Sequence, residues 1–556
     1  MIWKRLLIGS ALFIIALLLC LDLLTTNAKP SSFDGLIHMS NIAQYHVALK
    51  DGDFPVRWLD KTANYGMPIP LFSQQTVAYI GAFLMFFFNN TLITYNVVIL
   101  LFAILSNFSL YYFLREYIDK WGALVGTFLF CFAPYRIINI YIRGAIPEFA
   151  ASFFLPIILL SMKRWIQNKD QRYYFVLIIS LFLLFITHPI STTVYSFIIG
   201  VYYLFLLWKE KNKLETVIKT IVAGLISLGL ASFYLIPLLR EFKYLYYGLN
   251  DSVFLPNSYL EYKNLLNPGW YYFSSGDILT RAHYLHIGLI ETAILFIGLI
   301  YIIFKLFNRK KVNPLFLVLY LLVFIYIILL TKIGTPIFYW IKPLGNIQHQ
   351  WRLLSGILFI PPIVAAYLLK LCNRNTKIII GTLIIIFVII FRFPQLYGKN
   401  YLQTNESTYF SSKDNLYAQV MNTIWTGPTQ EYPEKKLKGE VIAGRGKIIS
   451  RKEHNSWRQY EVDATEKVRL ADYTFYFPGW KVSVDNKEVP IQFQDEKYRG
   501  VITYDVPQGK HSVLVKFTNT KIRLLSNLIS LFSFGILVAL FILRKKLFRH
   551  SPKKRS

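Results

Sequence analysis

Cysteine is nearly missing: there are three in 556 residues, Cys20, Cys131 and Cys372, each within or at the end of an apolar run. That placement excludes a disulfide framework and a structural zinc site, which need paired spacings. Negative charge is also scarce, with 31 Asp and Glu against 60 Lys and Arg. Internal repeats, long low-complexity runs and a phosphate-cradling Gly-rich loop are absent too. Only 16% of the chain is charged, 54% is hydrophobic and 17% aromatic. With a mean hydropathy of +0.41, the composition fits a polytopic membrane protein and no soluble class.

The net charge of +29 does not describe a nucleic-acid surface, because Lys and Arg sit mostly in short connectors between apolar spans. That is the positive-inside pattern. Basic from Met1 to Arg5 and apolar to about Leu24, the N-terminus reads as a retained signal-anchor without a small-residue cleavage site. Further spans are expected at 91–114, 120–134, 147–162, 173–187, 190–208, 217–239, 286–305, 313–331, 353–370, 376–393 and 522–543. The stretch 76–88 is short for a crossing. If it does not traverse, the connectors Lys163 to Arg172, Lys209 to Lys213, Lys305 to Lys311 and Lys370 to Lys377, with the tail from Arg544, all face the cytoplasm. If it does, they all move outside. The expectation is therefore a cell-membrane protein with twelve crossings and both termini cytoplasmic, 76–88 being interfacial or re-entrant.

This topology exposes 26–75, 135–146, the His188-Pro189 turn, 240–285, 332–352 and 394–521 together on the outer side. The chain divides into a transmembrane module at 1–393 with a first outer loop at 26–75, a β-rich domain at 394–521, and a final span with a basic tail at 522–556. Short alternating runs such as Gln459-Tyr460-Glu461-Val462 and Ser512-Val513-Leu514-Val515, with turns at Asp485-Asn486 and Pro507-Gln508-Gly509, predict a small β-sandwich. Its aromatics Tyr473, Phe475, Tyr476, Phe477 and Trp480 suit a core, with sugar binding as the alternative.

In the first loop, Asp34, His38, Asn41 and Tyr45 recur at helical spacing while Leu36, Met39, Ile42, Ala43 and Val47 take other faces. The pattern predicts an amphipathic helix lying at the membrane surface. Asp34 at its start is either a base or an N-cap. Four polar clusters share the outer side: Asp34 and His38 with His46, Asp51, Asp53 and Arg57; Arg136 to Arg143 with Glu148; His349, Gln350 and Arg352; and Arg281, His283 and His286. Arginines match a phosphodiester bidentately, and a carboxylate opposite can take a hydroxyl proton. Ionisable groups at membrane depth are costly and mark function. Arg136 and Arg352 have a second reading as interfacial side chains that snorkel, and Arg143–Glu148 as a local ion pair of little consequence. His283 and His286 read as polar loop residues.

Phe33-Asp34-Gly35…His38, Gly52-Asp53-Phe54-Pro55-Val56-Arg57-Trp58, Arg143-Gly144-Ala145-Ile146-Pro147-Glu148 and Gln350-Trp351-Arg352-Leu353-Leu354 resemble the YfhO-type branch of the GT-C polytopic glycosyltransferases. That branch also holds membrane proteins labelled as related to 6-pyruvoyl-tetrahydropterin synthase. Phe477-Pro478-Gly479-Trp480-Lys481-Val482 resembles its outer β-domain. The resemblance implies transfer of a sugar from a polyprenyl-phosphate-linked donor to a cell-envelope glycan, lipid or protein outside the cytoplasm. It implies Asp34 as general base and Glu148 as a second acidic position near the site, while the residues themselves give His38 as a further catalytic candidate and Arg136, Arg143 and Arg352 as the arginines for the donor phosphate. His46, Arg57, His349 and Gln350 are the candidate acceptor or sugar contacts. No cofactor is indicated. The paired Asp-x-Asp or Glu-x-Asp of the wider class is absent at Asp34, which leaves a divalent metal open. No His-x-His zinc cluster accompanies the pterin label. The competing classes are a transporter or flippase for envelope precursors, against which no repeated halves are visible, and a silent scaffold presenting the β-domain.

Overall fold

The membrane module is built from apolar helices, several of whose starts are capped by polar side chains. Asn90 accepts from the Ile93 amide, Asp119 from Trp121 and Gly122, Asn313 from Leu315 and Asn373 from Thr376. Such caps satisfy amides that no helical carbonyl reaches. The structure, a computed structural model, describes residues 2–246, 258–261, 285–398, 400–410, 421–427 and 431–547. Its helices begin α1 (Ile2–Thr25), α2 (Gly35–Lys50), α3 (Ile69–Phe72), α4 (Gln75–Phe88), α5 (Thr91–Leu114), α6 (Lys120–Cys131), α7 (Pro134–Tyr141), α8 (Ile146–Ile166), α9 (Arg172–Thr187), α10 (Pro189–Trp208) and α11 (Lys213–Glu241). The longer helices that follow are Leu289–Phe307, Pro314–Leu330, Ile360–Leu371, Arg374–Arg392 and Lys521–Leu547.

Among the described residues, nine helices are long and apolar enough to cross a bilayer, or up to eleven if two bent pairs each form one span. α6 and α7 meet at 41°, where Ala133 precedes Pro134 and is steered out of the helical region. Pro314–Leu330 and Lys332–Trp340 meet at 84°. The remaining expected span, 173–187, is α9, whose 16 residues reach about 24 Å against a hydrocarbon core of about 30 Å. α4 stops after 14 residues and exposes Phe83, Phe87 and Phe88 at its end, as an interfacial or re-entrant segment would.

The basic connectors gather at one end of the bundle. Arg164 pairs with Glu116, Lys169 with Glu210 and Lys377 with Asp119, each at 2.7 Å, and Lys370 donates to the Tyr117 carbonyl.

Two short strands, β1 (Lys29–Pro30) and β2 (Tyr401–Leu402), pair across the chain, and eight more build the β-domain. They are β3 (Gly439–Ala443), β4 (Gly446–Glu453), β5 (Trp457–Ala464), β6 (Val468–Phe475), β7 (Trp480–Val484), β8 (Lys487–Val489), β9 (Val501–Val506) and β10 (Gly509–Phe517). All pairings are antiparallel, in sheets ordered β4-β5-β10-β7-β8 and β3-β6-β9. Alternate residues of β5, from Arg458 to Ala464, point into the sandwich, as one-sided burial requires. β6 is buried almost throughout, because its second face packs on the first loop through Tyr65, Tyr473 and Phe475. Tyr473, Phe475, Phe477 and Trp480 are core residues, and Trp480 meets Trp58 of the first loop edge to face at 5.1 Å.

Loop carboxylates bind this domain down. Asp51 accepts from the Asn455 amide at 2.7 Å, and Asp53 from Asn455 Nδ2 at 2.8 Å and Ser456 Oγ at 2.6 Å. Asp60 pairs with Arg458 and, at 3.2 Å, with Lys438. α2 therefore does not turn its polar face to water as the amphipathic pattern predicts. It is buried on most of its length against α4 and the short helix Glu406–Phe410, with Ser40 Oγ donating to the Tyr409 carbonyl at 2.7 Å. Its polar face meets protein, which the spacing of polar residues does not distinguish from water.

Candidate active site

The first loop returns to the bundle at Phe33 and Asp34, whose amides donate to the carbonyls of Ile142 (3.3 Å) and Arg143 (2.7 Å). Gly144 makes this approach possible. It has φ +65°, and a Cβ there would lie 2.5 Å from the Gly35 nitrogen. The start of α2 is thus pinned to the turn between α7 and α8.

Asp34 does not cap α2. Its φ of −103° and ψ of −7° are helical rather than extended, and its carboxylate makes no bond to the first amides. Instead it lies within electrostatic reach of Lys29, His38, Tyr95, Arg143 and Arg352. One turn on, burial pushes the His38 imidazole down to about 4, Asp34 pulling the other way. His38 is therefore neutral at ordinary pH.

Arg143 and Glu148 form a buried pair at 2.7 Å, and Tyr135 donates to Glu148 at 2.6 Å. Arg143 Nη1 also donates to Asn139 (2.6 Å) and Tyr135 (3.0 Å), and its guanidinium lies 4.5 Å from the Trp351 ring centre. The desolvated setting makes this more than the inconsequential surface bridge its short spacing suggests. All three bonds use Nη1. Among the described residues no acceptor takes Nη2 or Nε.

Arg352 is half-buried; among the described residues its Nε has no partner and its guanidinium makes one bond, a long donation to the Ile347 carbonyl at 3.4 Å. His349 stacks on Trp351 at 4.7 Å, which brings it to the same cluster.

The other expected site residues go elsewhere. Arg136 is buried inside the bundle between Phe130 and Phe149, donating to Ser106 and Ser152, and among the described residues no carboxylate faces it. His46 bonds the Ala82 carbonyl and packs on Phe86, fastening α2 to α4. Arg57 donates to Asn527 at 2.6 Å and stands beside Arg523 and Glu241, where the final helix meets α11. Gln350 is spent on Leu329, Thr331 and Thr335, joining its segment to the end of helix Pro314–Leu330. Arg281 and His283 lie outside the described residues. His286 is a loop residue as expected, three positions before the helix Leu289–Phe307, but it is fully buried, near the Glu291–Arg392 ion pair.

Two members of the cluster escape sequence reasoning. His188 caps α10, Nδ1 accepting from the Ser191 amide at 3.1 Å, within electrostatic reach of Glu148, Arg352, Arg143 and His38. Its only sequence signal is the His-Pro turn. Lys29 is 1% exposed, and among the described residues its Nζ has no hydrogen-bond partner. Nothing in the sequence separates it from an ordinary flanking lysine. Among the described residues no group of three His, Cys, Asp or Glu side chains is placed to hold a metal.

A polytopic helical bundle, an extramembrane β-sandwich seated on its first loop, and a cluster of buried charge beneath that loop define the class of protein. The chain belongs to the family described as 6-pyruvoyl-tetrahydropterin synthase related domain, membrane protein, which matches residues 78–397. The match includes Arg143, Glu148, His188 and Arg352, while Lys29, Asp34 and the sandwich precede or follow it. Comparison with curated proteins gives no match. Among solved structures, the chain is similar to the oligosaccharyltransferase of Archaeoglobus fulgidus in its apo form, at 16% identity and a TM-score of 0.38. The similarity covers 75% of this chain and 60% of that one.

Proposed function

We propose that this protein transfers a sugar from a polyprenyl-phosphate-linked donor to a cell-envelope acceptor, with Asp34 as general base. The observation that carries the reading is the uncapped Asp34 carboxylate, held at the start of α2 among Arg143, Arg352 and Lys29 and bonded to no amide of its own helix. A carboxylate kept from its usual structural partner is available for a proton.

The acceptor hydroxyl gives its proton to Asp34 as its oxygen attacks the anomeric carbon. The bond from that carbon to the phosphate oxygen breaks, and its electron pair leaves with the lipid phosphate. Arg352, with a free Nε, and the unoccupied edge of Arg143 stabilise that growing charge. Glu148 holds Arg143 in place, while neutral His38 orients Asp34 or the acceptor. The basic connectors, collected at one end of the bundle and away from the sandwich, support a site and sandwich outside the cell.

Lipids extracted from purified Asp34→Asn protein test the reading by mass spectrometry, since a blocked enzyme retains its donor. A prenyl-phosphate-linked sugar is expected, together with transfer by wild-type membranes supplied with that lipid. Recovery of the lipid with equal movement across vesicles and no transfer would move the assignment to a flippase.

A further inference from the structure

Lys29 is an expensive residue to leave as it stands. A buried ammonium without a hydrogen bond costs far more than an exposed one, and such groups persist where something else supplies the partner. Its stem packs on the start of α2, since a Cβ at Gly35 would lie 2.7 Å from Lys29 Cε and 3.1 Å from the Tyr95 hydroxyl. β2 holds the backbone there through the pairing of Lys29 with Leu402. α2 itself begins with unused donors: among the described residues no acceptor takes the amides of Gly35, Leu36 or Ile37, and Asp34 does not turn back to them. A helix N-terminus with a buried, unpaired cation beside it is an anion site.

Charge counting gives the anion's role. Lys29, Arg143 and Arg352 face the carboxylates of Asp34 and Glu148, with His38 neutral, so the empty cluster carries one surplus positive charge. A sugar-phosphate diester brings one negative charge and cancels it. After transfer the proton sits on Asp34 and the phosphate monoester carries two negative charges, so the sum is again zero. Without Lys29 the cluster would be left negative at both stages, in a poorly solvated place.

We propose that Lys29 and the α2 N-terminus form the subsite for the lipid phosphate, Lys29 supplying the charge that Arg143, tied to Glu148, cannot. The inference rests on the glycosyl-transfer reading and names the part of the site that holds the phosphate. Burial lowers the Lys29 amine to about 8, with Asp34 opposing. The charged group that acts on it is Asp34; His38, Tyr95 of α5, Arg143 and Arg352 act on that same carboxylate, and on the paired strand the Tyr401 hydroxyl is bonded to Asp22. Of these, Lys29 is the group whose loss of charge between pH 7 and 9.5 weakens an anion.

The test is binding of farnesyl phosphate and of inorganic phosphate to the purified full-length protein in detergent, by calorimetry. Wild type is expected to bind farnesyl phosphate and to lose affinity as pH rises through about 8, over a range where the phosphate is already doubly charged. Lys29→Met and Lys29→Gln should bind about 10- to 100-fold more weakly at pH 7 and show no such pH dependence. Unchanged affinity and an unchanged pH profile in a folded Lys29 variant, or a flat profile in wild type, overturns the inference while leaving the transfer reading intact. Inorganic phosphate binding as tightly as farnesyl phosphate assigns the subsite to free phosphate and overturns the lipid source. Failure of wild type to bind farnesyl phosphate overturns both the subsite and the transfer reading.

Discussion

The backbone amide of Asp34 donates to the carbonyl of Arg143 at 2.7 Å, joining the first residue of the proposed chemistry to the arginine that faces it. The contact is between main chains, so it survives substitution of either side chain. Mutagenesis can therefore separate chemistry from architecture at these two positions.

Asp34→Asn should insert and fold normally, because the lost carboxylate makes no capping bond. Transfer should fall about 100- to 10,000-fold, the usual loss for a general base. His38→Ala should be milder. Parental rates of acceptor decoration by Asp34→Asn, measured in membranes with the lipid donor, would remove Asp34 from the mechanism.

Arg352→Lys keeps a positive charge and loses the planar fork. Donor use should drop about tenfold, and Arg352→Ala should drop further. If both variants retain parental transfer, Arg352 is a snorkelling side chain and the phosphate is held elsewhere.

The Asp60–Arg458 contact should govern docking of the sandwich. Arg458 is fully buried and also faces Asp472 at 3.6 Å, so Arg458→Met leaves Asp60 with Lys438 alone and Asp472 with hydroxyl donors but no cation, at a cost of about 3–5 kcal/mol. Limited proteolysis of the purified variant should cleave the first loop or the sandwich faster than wild type. The same contact sets a pH limit. Burial alone would raise the Asp60 carboxyl, but Arg458 and Lys438 outweigh it and hold it below its ordinary value. A folded pKa below the unfolded value of about 3.9 means the stabilisation is complete above that pH. It is lost as pH falls through the folded value, so protease resistance should decline below about pH 4 and not between 5 and 8.

A cysteine placed at Asn405, in a segment bonded to the first loop, should react with an impermeant maleimide from outside intact cells. One at Lys310, in a basic connector, should not. The reverse pattern overturns the orientation of the whole bundle.

Long apolar runs made most of the spans legible, since hydropathy over about 20 residues is a direct physical requirement of the bilayer. The bends were not, because Ala133-Pro134 interrupts a run without lowering its hydropathy. Asp34, His38, Arg143, Glu148, His349 and Arg352 were all visible as polar residues beside spans, and the structure brings them together. Arg136 shares that signature and is turned instead between Phe130 and Phe149. His46 and Gln350 are consumed by carbonyls of neighbouring segments, a fate that depends on tertiary packing alone. Lys29 went unseen for the opposite reason: basic residues flanking a span are so common that only its burial and its missing partner mark it.

The docking of the sandwich also orders events in time. Asp60 and Arg458 are separated by 398 residues, so at roughly 5–20 residues per second the loop leaves the ribosome about 20–80 s before its partner. Through that interval Trp58 and Tyr65 have no sandwich to cover them, and the strand that carries Lys29 has no β2. A chain stalled before Gly439 would leave those aromatics without the surface that they pack against. The last arginine of the charged cluster, Arg352, is made before β2 and before any strand of the sandwich, and the sandwich seated on the first loop arrives only with about the last fifth of the chain.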